Sequence, residues 1–385
     1  MGWSERTIKR QRPGMLVIVW ICALPLYGGE WQREVVDPSV AGTYSSFRLD
    51  SRGNGHVCYI DQARNQVKYG YWDHELNKWF TTVLDGSAGF CSLAVDSKDR
   101  PHISYQAWGT GKIKYAYWDG SSWQKTTLLI QAKEISYYTG IALDAEDHPW
   151  LSYYEYWGTG DDYELHLRTV AWTGDRWEVQ TIDPTPGSGK FNFLVSDSMG
   201  RPKVAYANVK AEHQSLRYAS WNGQSWVIDV IEGAERPFEV FSVALALDGA
   251  GNPHIAYTDV AHNLVKYATL QHGKWELSVV DSLKEYGYPD RYGIACDDHG
   301  TPYVSYYDAG LGVLKVAHLE DGRWVRDVVA DNFAGFTSSM QIRDGTIYLT
   351  YRDDTTQQLK FAFRQLENGT GAGARPDNIA RALSK

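Results

Sequence analysis

The chain repeats short runs in which hydrophobic and polar residues alternate, and each run closes on a tyrosine. HISY, at residues 102–105, and HIAY, at residues 254–257, are two of these runs. Because alternate side chains of a strand point to opposite faces of a sheet, a period of two predicts a β-strand. The tyrosines recur at intervals of 45 to 53 residues and are Tyr59, Tyr105, Tyr153, Tyr206, Tyr257, Tyr306 and Tyr351.

Each repeat contains four predicted strands. An apolar run such as Ser92–Val95 comes first, and a turn rich in Asp, Gly and Pro leads to the tyrosine strand. A third strand carries a basic residue at one fixed place, and a tryptophan opens the fourth strand. The basic residues are Lys68, Lys114, His166, Arg217, Lys266, Lys315 and Lys360, and the tryptophans are Trp79, Trp123, Trp177, Trp226, Trp275 and Trp324. Four short strands at this period predict one blade of a β-propeller.

The seventh repeat, Phe336–Gln365, has no tryptophan-led fourth strand. The segment Glu30–Asp37 matches Trp275–Asp281, which opens with a tryptophan and closes on Val-Val-Asp. We therefore predict an all-β, seven-bladed propeller of four-stranded antiparallel blades. In this ring the N-terminal strand completes the last blade, so that no end blade is left exposed.

Residues that recur in every blade are interpreted as structural, because a catalytic site needs one copy. The repeated tyrosine and tryptophan belong to this class. So does an aspartate nine residues before the tyrosine, at Asp50, Asp96, Asp144, Asp197, Asp248 and Asp297. The basic residue of the third strand is expected to pair with a carboxylate or carbonyl group of its own blade. The histidines that start several second strands, His56, His102 and His254, alternate with Lys, Tyr and Trp, which favours packing over chemistry.

Composition and charge narrow the class of protein. The 26 Tyr, 16 Trp and 11 Phe make the chain 14% aromatic, which excludes a disordered protein. The formal net charge is -9. The first 28 residues contribute +3 of it, so the remainder carries -12 and argues against nucleic-acid binding.

The N-terminus carries an export pattern. A polar and basic stretch precedes the apolar run Met15–Tyr27, which is too short for a comfortable membrane span. We predict a signal peptide over residues 1–28. The alternative is that this segment stays uncleaved as a membrane anchor, which would be the protein's only contact with a membrane. The mature protein is then secreted, periplasmic or on the cell surface, and is expected to be a monomer. The propeller occupies residues 29–365, and residues 366–385 are predicted to be a flexible tail. The three cysteines outside residues 1–28 are an odd number, which favours free thiols.

Function is expected on the face where the loops from second to third strands and from one blade to the next meet, here called the loop face. Acidic or amide residues stand two positions after most repeated tyrosines: Asp61, Glu155, Asn208, Asp259, Asp308 and Asp353. Aromatic residues introduce the first strands: Tyr44, Phe90, Tyr138, Phe191, Phe241, Tyr292 and Phe336. Aromatic faces stack on sugar rings while carboxylates accept bonds from hydroxyls. The alternative interpretation is that the aromatics plug the channel and the acids cap turns.

Departures from the repeat mark the predicted ligand-binding wall. They add aromatic and charged residues to blades two, three and five to six. The candidate ligand-binding residues are Trp108, Tyr138, Glu155, Tyr156, Trp157, Arg236, Asp259, Tyr286, Tyr288, Arg291, Asp308 and Asp353. We assign no catalytic residue and no cofactor. A Ca²⁺ ion held by several of the acids in the central channel is the weaker alternative.

The turn YWDGSSW at residues 117–123 resembles a shortened Asp-box, the hairpin between third and fourth strands of sialidase-like propellers. With the unit D-x-x-G-x-P-H-I-x-Y, the repeat resembles exported bacterial and archaeal propeller-repeat proteins and, more distantly, propeller lectins. The resemblance covers residues 30–365 and implies the fold. For a sialidase, the resemblance implies a six-bladed ring with an arginine triad. Seven blades are predicted here, and the chain has no Arg-Ile-Pro segment, which argues against sialidase activity.

Three functions remain open. The leading hypothesis is an exported, non-catalytic propeller that binds carbohydrate or another extracellular ligand on its loop face. The second is a glycan-cleaving enzyme, a glycoside hydrolase or polysaccharide lyase, which would use a carboxylate pair such as Glu155 with Asp259, or a tyrosine with an arginine. The third is a scaffold for extracellular protein partners.

Overall fold

Seven four-stranded antiparallel sheets make up the fold, as a computed structural model of the chain shows. The structure describes residues 29–39, 41–86, 89–107, 110–128, 134–157, 164–210, 214–233, 239–285, 287, 291–331 and 333–366. The predicted seven-bladed β-propeller is confirmed. The predicted signal peptide and all of the predicted tail except Leu366 lie outside the described residues.

The first four blades follow one another along the chain. Blade 1 contains β2 (Thr43–Leu49), β3 (Gly55–Asp61), β4 (Gln66–Asp73) and β5 (Lys78–Gly86). Blade 2 contains β6 (Cys91–Val95), β7 (Pro101–Ala107), β8 (Lys112–Trp118) and β9 (Trp123–Thr127). Blade 3 contains β10 (Glu134–Leu143), β11 (Pro149–Trp157), β12 (Glu164–Trp172) and β13 (Trp177–Asp183). Blade 4 contains β14 (Ser188–Ser196), β15 (Pro202–Asn208), β16 (Ser215–Trp221) and β17 (Trp226–Gly233).

The last three blades complete the ring. Blade 5 contains β18 (Val240–Leu247), β19 (Pro253–Asp259), β20 (Leu264–Gln271) and β21 (Lys274–Ser282). Blade 6 contains β22 (Gly293–Cys296), β23 (Pro302–Asp308), β24 (Val313–Glu320) and β25 (Arg323–Ala330). Blade 7 contains β26 (Ala334–Arg343), β27 (Thr346–Asp353), β28 (Gln358–Gln365) and β1 (Gln32–Asp37). The described residues hold no helix long and apolar enough to cross a membrane.

The N-terminal strand β1 is the outer strand of blade 7, as the sequence predicted. It pairs antiparallel with β28, with Gln32 opposite Phe363 and Val35 opposite Lys360. Trp31 ties the same strand to blade 6, because its indole Nε1 donates to Asp327 Oδ2 at 3.0 Å. The two ends of the propeller are therefore joined within one sheet.

The hydrophobic core lies mainly between blades. The second strands are the most buried elements, and β3, β7, β15, β19 and β23 are buried along their whole length. One core cluster joins Leu216 of blade 4 to Val243 and Ile255 of blade 5. Since each blade can bury its faces only against its neighbours, the stability of each blade depends on the two blades beside it.

Repeated polar residues hold the turns on the face opposite the loop face. The Asp50 carboxylate accepts bonds from the backbone amides of Arg52 and Asn54, at 2.9 and 2.8 Å. His102 lies between the Tyr115 hydroxyl, at 2.6 Å, and Asp96. These contacts support the structural interpretation of the repeated aspartates and histidines. Cys58, Cys91 and Cys296 are free thiols, as expected, and the first two are buried.

Candidate functional site

The repeated tyrosine and basic residue both donate hydrogen bonds to a carboxylate from the preceding blade. At the interface of blades 5 and 6, the Tyr306 hydroxyl donates to Asp281 Oδ2 at 2.7 Å, and Lys315 Nζ donates to the same oxygen at 3.0 Å. The same arrangement occurs at five interfaces, and the carboxylates belong to Asp37, Asp85, Asp183, Glu232 and Asp281. These carboxylates are bridges that hold neighbouring blades together.

The bridging acids were missed in the sequence, although a signal for them exists. Each stands six residues after the tryptophan that opens the outer strand, as Asp281 does after Trp275. The basic residue was expected to pair within its own blade, and this is partly right. Lys315 contacts Asp308 of its own blade at 2.6 Å. The other carboxylate comes from the neighbouring blade.

The basic residue of blade 3 was placed two positions too early. Tyr153 pairs across the sheet with Arg168, whereas His166 pairs with Glu155. Strands β11 and β12 are each nine residues long, against seven in most second strands, so the longer hairpin moves the equivalent position along the chain. Arg168 is therefore the counterpart of the repeated lysines.

At two of the seven interfaces, no bridging acid is found among the residues that the structure describes. Between blades 2 and 3 the sixth residue after Trp123 is Leu129, which lies outside the described residues. There Arg168 turns instead to Glu155 of its own blade, at 2.8 Å, and the buried Tyr153 hydroxyl has no hydrogen-bond partner in the described structure. Between blades 6 and 7 the equivalent residue is Ala330.

The blade 3 interface gives a direct test of the bridge. Replacing Tyr153 by Phe removes a buried hydroxyl without a partner and should leave the free energy of unfolding unchanged or raise it by up to about 1 kcal/mol. Tyr206→Phe is the matched control, because that hydroxyl donates to Asp183 at 2.8 Å. It should cost roughly 1.5–3 kcal/mol, the usual contribution of a hydrogen bond to a charged group. Urea unfolding of both variants measures the difference, and equal losses would contradict the assignment.

A groove opens where the acid is missing between blades 6 and 7. It has a volume of about 380 Å³ and is lined by Ala330, Tyr351 and Lys360 together with Arg33 and Asp353. We call it the blade 6–7 groove. Asp353 ends β27 and Ala330 ends β25, so the groove reaches the loop face.

The groove is lined by three side chains that donate hydrogen bonds, Arg33, Tyr351 and Lys360, and by the three carboxylates of Glu34, Asp331 and Asp353. Lys360 Nζ lies 3.6 Å from Asp353 Oδ2, and the Tyr351 hydroxyl has no hydrogen-bond partner among the residues the structure describes. Burial raises the pKa of Tyr351 to about 12, so its hydroxyl stays protonated at neutral pH. Arg33 Nε donates to the Val329 carbonyl at 2.7 Å. The groove thus presents a hydroxyl, an ammonium and a guanidinium group.

The acids predicted at the ends of the second strands each face a basic side chain of their own blade. The pairs are Asp61 with Arg64 at 2.9 Å, Glu155 with Arg168 at 2.8 Å, Asp259 with His262 at 2.9 Å, Asp308 with Lys315 at 2.6 Å, and Asp353 with Lys360 at 3.6 Å. Asp259 and Asp308 also lie at hairpin turns and are buried. The backbone amides of Leu311 and Thr356 donate to Asp308 and Asp353, at 3.3 and 3.0 Å, which matches the turn-capping alternative for these two acids. Among the described residues, these acids do not form a group of three or more ligand atoms close enough to hold one metal ion.

Five of the predicted aromatic residues stack in sequence around the mouth of the channel. Their ring centroids are 3.8 Å apart for Tyr44 and Phe90, 4.6 Å for Phe90 and Tyr138, 5.0 Å for Tyr138 and Phe191, and 4.5 Å for Phe191 and Phe241. Tyr44, Tyr138 and Phe191 have φ between 53° and 66°, a region that bulky residues rarely adopt. The stack therefore fixes the backbone at the channel mouth.

Arg291 lies inside the channel. Its side chain is 6% exposed, its Nη1 donates to the Cys91 carbonyl of blade 2 at 3.4 Å, and its guanidinium lies 5.6 Å from the Phe193 ring centroid. Arg48 lies nearby, and burial and the charge of Arg291 lower its pKa to about 10. Arg291, a candidate for the ligand-binding wall, lies in the channel and contacts the backbone of blade 2.

The remaining candidates are only partly within the described structure. Tyr156 is half-buried on β11, and Trp157 ends the same strand. Four more, Trp108, Arg236, Tyr286 and Tyr288, lie outside the described residues. Among the described residues, Asp144, Glu146 and His148 have ligand atoms close enough to hold a metal ion, but they lie in the β10–β11 turn on the opposite face.

Comparisons with solved structures agree on the fold. The polysaccharide lyase Uly1 has a TM-score of 0.55 and 9% identity over 84% of this chain and 90% of its own. An ulvan lyase of a new polysaccharide lyase family, bound to a GlcA(1-4)Rha3S saccharide, has a TM-score of 0.56 and 13% identity over 85% of this chain and 93% of its own. The propeller domain of Cps50 (Swd1) from Myceliophteria thermophila has a TM-score of 0.56 and 12% identity over 86% of this chain and 99% of its own.

The comparisons show that the chain has a β-propeller fold shared by proteins of different names. At identities of 9 to 13% they show the fold alone. No protein-family description matches the sequence, and no curated protein matches it either.

Proposed function

We propose that this protein is an exported, non-catalytic β-propeller that binds carbohydrate, or another extracellular ligand, on its loop face. The observation that carries the proposal is the blade 6–7 groove, a cavity of about 380 Å³ in which the donors Arg33, Tyr351 and Lys360 lie together with carboxylate acceptors. A hydroxyl group both donates and accepts hydrogen bonds, so donors and acceptors side by side suit ligands rich in hydroxyl groups. Export is proposed from the pattern of residues 1–28.

The non-catalytic part is supported by the engaged carboxylates. Glycoside hydrolysis needs an acid and a base on either side of one bond. Glu155 and Asp259, the pair considered from the sequence, each hold a basic side chain of their own blade. Two of the structural neighbours are named as polysaccharide lyases, which makes glycans the first ligand class to test.

Binding of residues 29–385 to a broad panel of immobilised glycans tests the proposal. We expect saturable binding to at least one class of glycan, with no release of product during a long incubation. The panel is run with and without Ca²⁺, which separates a metal-dependent site from the groove. A complete lack of binding in both conditions would overturn the carbohydrate part of the proposal.

A glycan-cleaving enzyme is the second candidate, and the groove favours its tyrosine-with-arginine form. Tyr351, Lys360 and Arg33 line one cavity, where a cation could stabilise a developing anion while a tyrosine moves a proton. This candidate predicts new sugar ends or an ultraviolet-absorbing unsaturated product from a polysaccharide, and loss of that signal in Tyr351→Phe. Turnover by the wild-type chain would overturn the non-catalytic part of the proposal.

A further inference from the structure

We infer that the blade 6–7 groove binds the carboxylate of a sugar acid, at the place that an aspartate or glutamate side chain fills at five other interfaces of the same ring. The sugar part of this inference rests on the proposed function. The carboxylate part rests on a comparison of the groove with the interface of blades 5 and 6.

At the interface of blades 5 and 6, three donors hold one carboxylate. Asp281 accepts bonds from the Tyr306 hydroxyl at 2.7 Å, from Lys315 Nζ at 3.0 Å and from Arg326 Nη1 at 2.9 Å. Arg326 also donates to the Val280 carbonyl at 3.1 Å, which fixes its position beside the carboxylate.

The groove keeps all three donors. Tyr351 and Lys360 stand opposite each other on β27 and β28, as Tyr306 and Lys315 do on β23 and β24. Arg33 is two residues after Trp31, as Arg326 is two residues after Trp324.

The third donor is also held in the same way. Arg33 donates to the Val329 carbonyl just as Arg326 donates to the Val280 carbonyl. Both carbonyls belong to the residue immediately before the bridging position, which is Ala330 in blade 6. The donor set is therefore complete, and only its carboxylate is replaced by a methyl group.

Within the described part of the chain, Lys360 lacks one of the two carboxylate partners that its counterpart Lys315 has. Lys315 contacts two carboxylates, Asp308 of its own blade at 2.6 Å and Asp281 of the preceding blade at 3.0 Å. Lys360 contacts only the own-blade acid, Asp353, at 3.6 Å among the described residues. A second carboxylate supplied by a ligand would restore the arrangement. Charge-assisted bonds of this kind are the stronger ones in proteins.

The rest of the lining favours a sugar acid over an acidic peptide. Glu34, Asp331 and Asp353 also line the groove. Carboxylate oxygens are hydrogen-bond acceptors, and a sugar ring offers them hydroxyl donors. A peptide rich in Asp or Glu would place further negative charges against them, which is unfavourable. A ring with one carboxylate and several hydroxyls matches both kinds of lining group.

Ala330→Asp supplies the missing carboxylate from the chain itself and tests the inference. The same residue type occupies the equivalent position in four other blades, so the variant should fold. Methyl glucuronide and methyl glucoside, which differ by the carboxylate, are titrated into residues 29–385 by NMR. We expect the wild type to prefer the glucuronide by about tenfold or more, and Ala330→Asp to lose that preference while melting at a higher temperature.

Two further variants test whether the effect on binding depends on the groove itself or only on an added negative charge. Ala145→Asp adds the same charge at an exposed turn on the opposite face and should bind the glucuronide as the wild type does. Tyr351→Phe removes one donor from the groove and should weaken glucuronide binding by several-fold, with less effect on the glucoside.

The outcomes distinguish the two proposals. If the wild type binds both glycosides equally and Ala330→Asp changes nothing, the inference is overturned and the proposed function stands. If a glutamate-rich peptide binds and the glucuronide does not, the sugar-acid assignment is overturned. If no sugar binds, but acetate raises the melting temperature of the wild type and not of Ala330→Asp, the proposed function fails and only the carboxylate site is supported.

Discussion

A chain that begins at Ser39, and so lacks β1, is expected not to fold into a stable propeller. The deletion removes the outer strand of blade 7 and leaves β28 with an unpaired edge. It also removes the buried side chains of Trp31 and Val36, each of which contributes on the order of 2 kcal/mol. Asp37 goes with them, and Tyr59 and Lys68 of blade 1 then lose their shared carboxylate.

Together with the lost pairing to β28, these losses should be comparable to the 5–15 kcal/mol by which a domain is typically stable. Size-exclusion chromatography and circular dichroism should show aggregated or largely unfolded protein. A peptide of residues 29–39 added in trans should restore part of the folded fraction. The matched control ends at Leu366 and lacks only the predicted tail. A monomeric, cooperatively melting chain without β1 would contradict the closure described above.

Asp281→Ala is expected to destabilise the ring by about 3–5 kcal/mol, the usual cost of breaking a buried ion pair. Asp281 is 9% exposed and holds Tyr306, Lys315 and Arg326 from blade 6. Its removal leaves two cationic groups and a hydroxyl near a cavity without their common acceptor. The melting temperature should fall by roughly 6–10 °C.

The exposed Asp298 of blade 6 is the matched control. Asp298→Ala should change the free energy of unfolding by less than about 0.5 kcal/mol. Acetate at high concentration should recover part of the loss in Asp281→Ala and none in Asp298→Ala. If Asp281→Ala lowers the free energy of unfolding by less than about 1 kcal/mol, Asp308 alone is a sufficient partner for Lys315. Lys360 would then need no second carboxylate in the blade 6–7 groove.

The fold could be predicted from the sequence because its signals are local and repeated. Alternation around Tyr105 or Tyr257 identifies a strand, and Trp275 identifies the start of the outer strand. The match of Glu30–Asp37 to an outer strand was enough to predict ring closure, which β1 and β28 confirm. Each of these signals recurs in neighbouring blades, so a single ambiguous strand could not change the result.

The chemistry between blades was harder to predict because its partners are far apart in the chain. Asp281 and Lys315 are 34 residues apart, and the fixed spacing of the acid from Trp275 was visible only after the structure showed what it does. The register of blade 3 was missed for a different reason. Two basic residues, His166 and Arg168, stand on one strand, and only the pairing with Tyr153 distinguishes them.

The candidate site is defined by an exception to the repeat. Ala330 is unremarkable in isolation, and it becomes informative only beside Asp281 and the other bridging acids. The sequence had directed attention to aromatic loops. The structure adds a groove at an interface where the three donors remain and the acceptor is missing.

A crystal structure of residues 29–385 with methyl glucuronide tests the account most directly. We predict that the ligand carboxylate lies in the blade 6–7 groove, with its oxygens within hydrogen-bond distance of the Tyr351 hydroxyl, Lys360 Nζ and the Arg33 guanidinium, about 2.7–3.2 Å. In the same crystals Ala330→Asp should place its own carboxylate there and exclude the ligand. A glucuronide bound elsewhere on the ring, with the groove unchanged, would contradict the account.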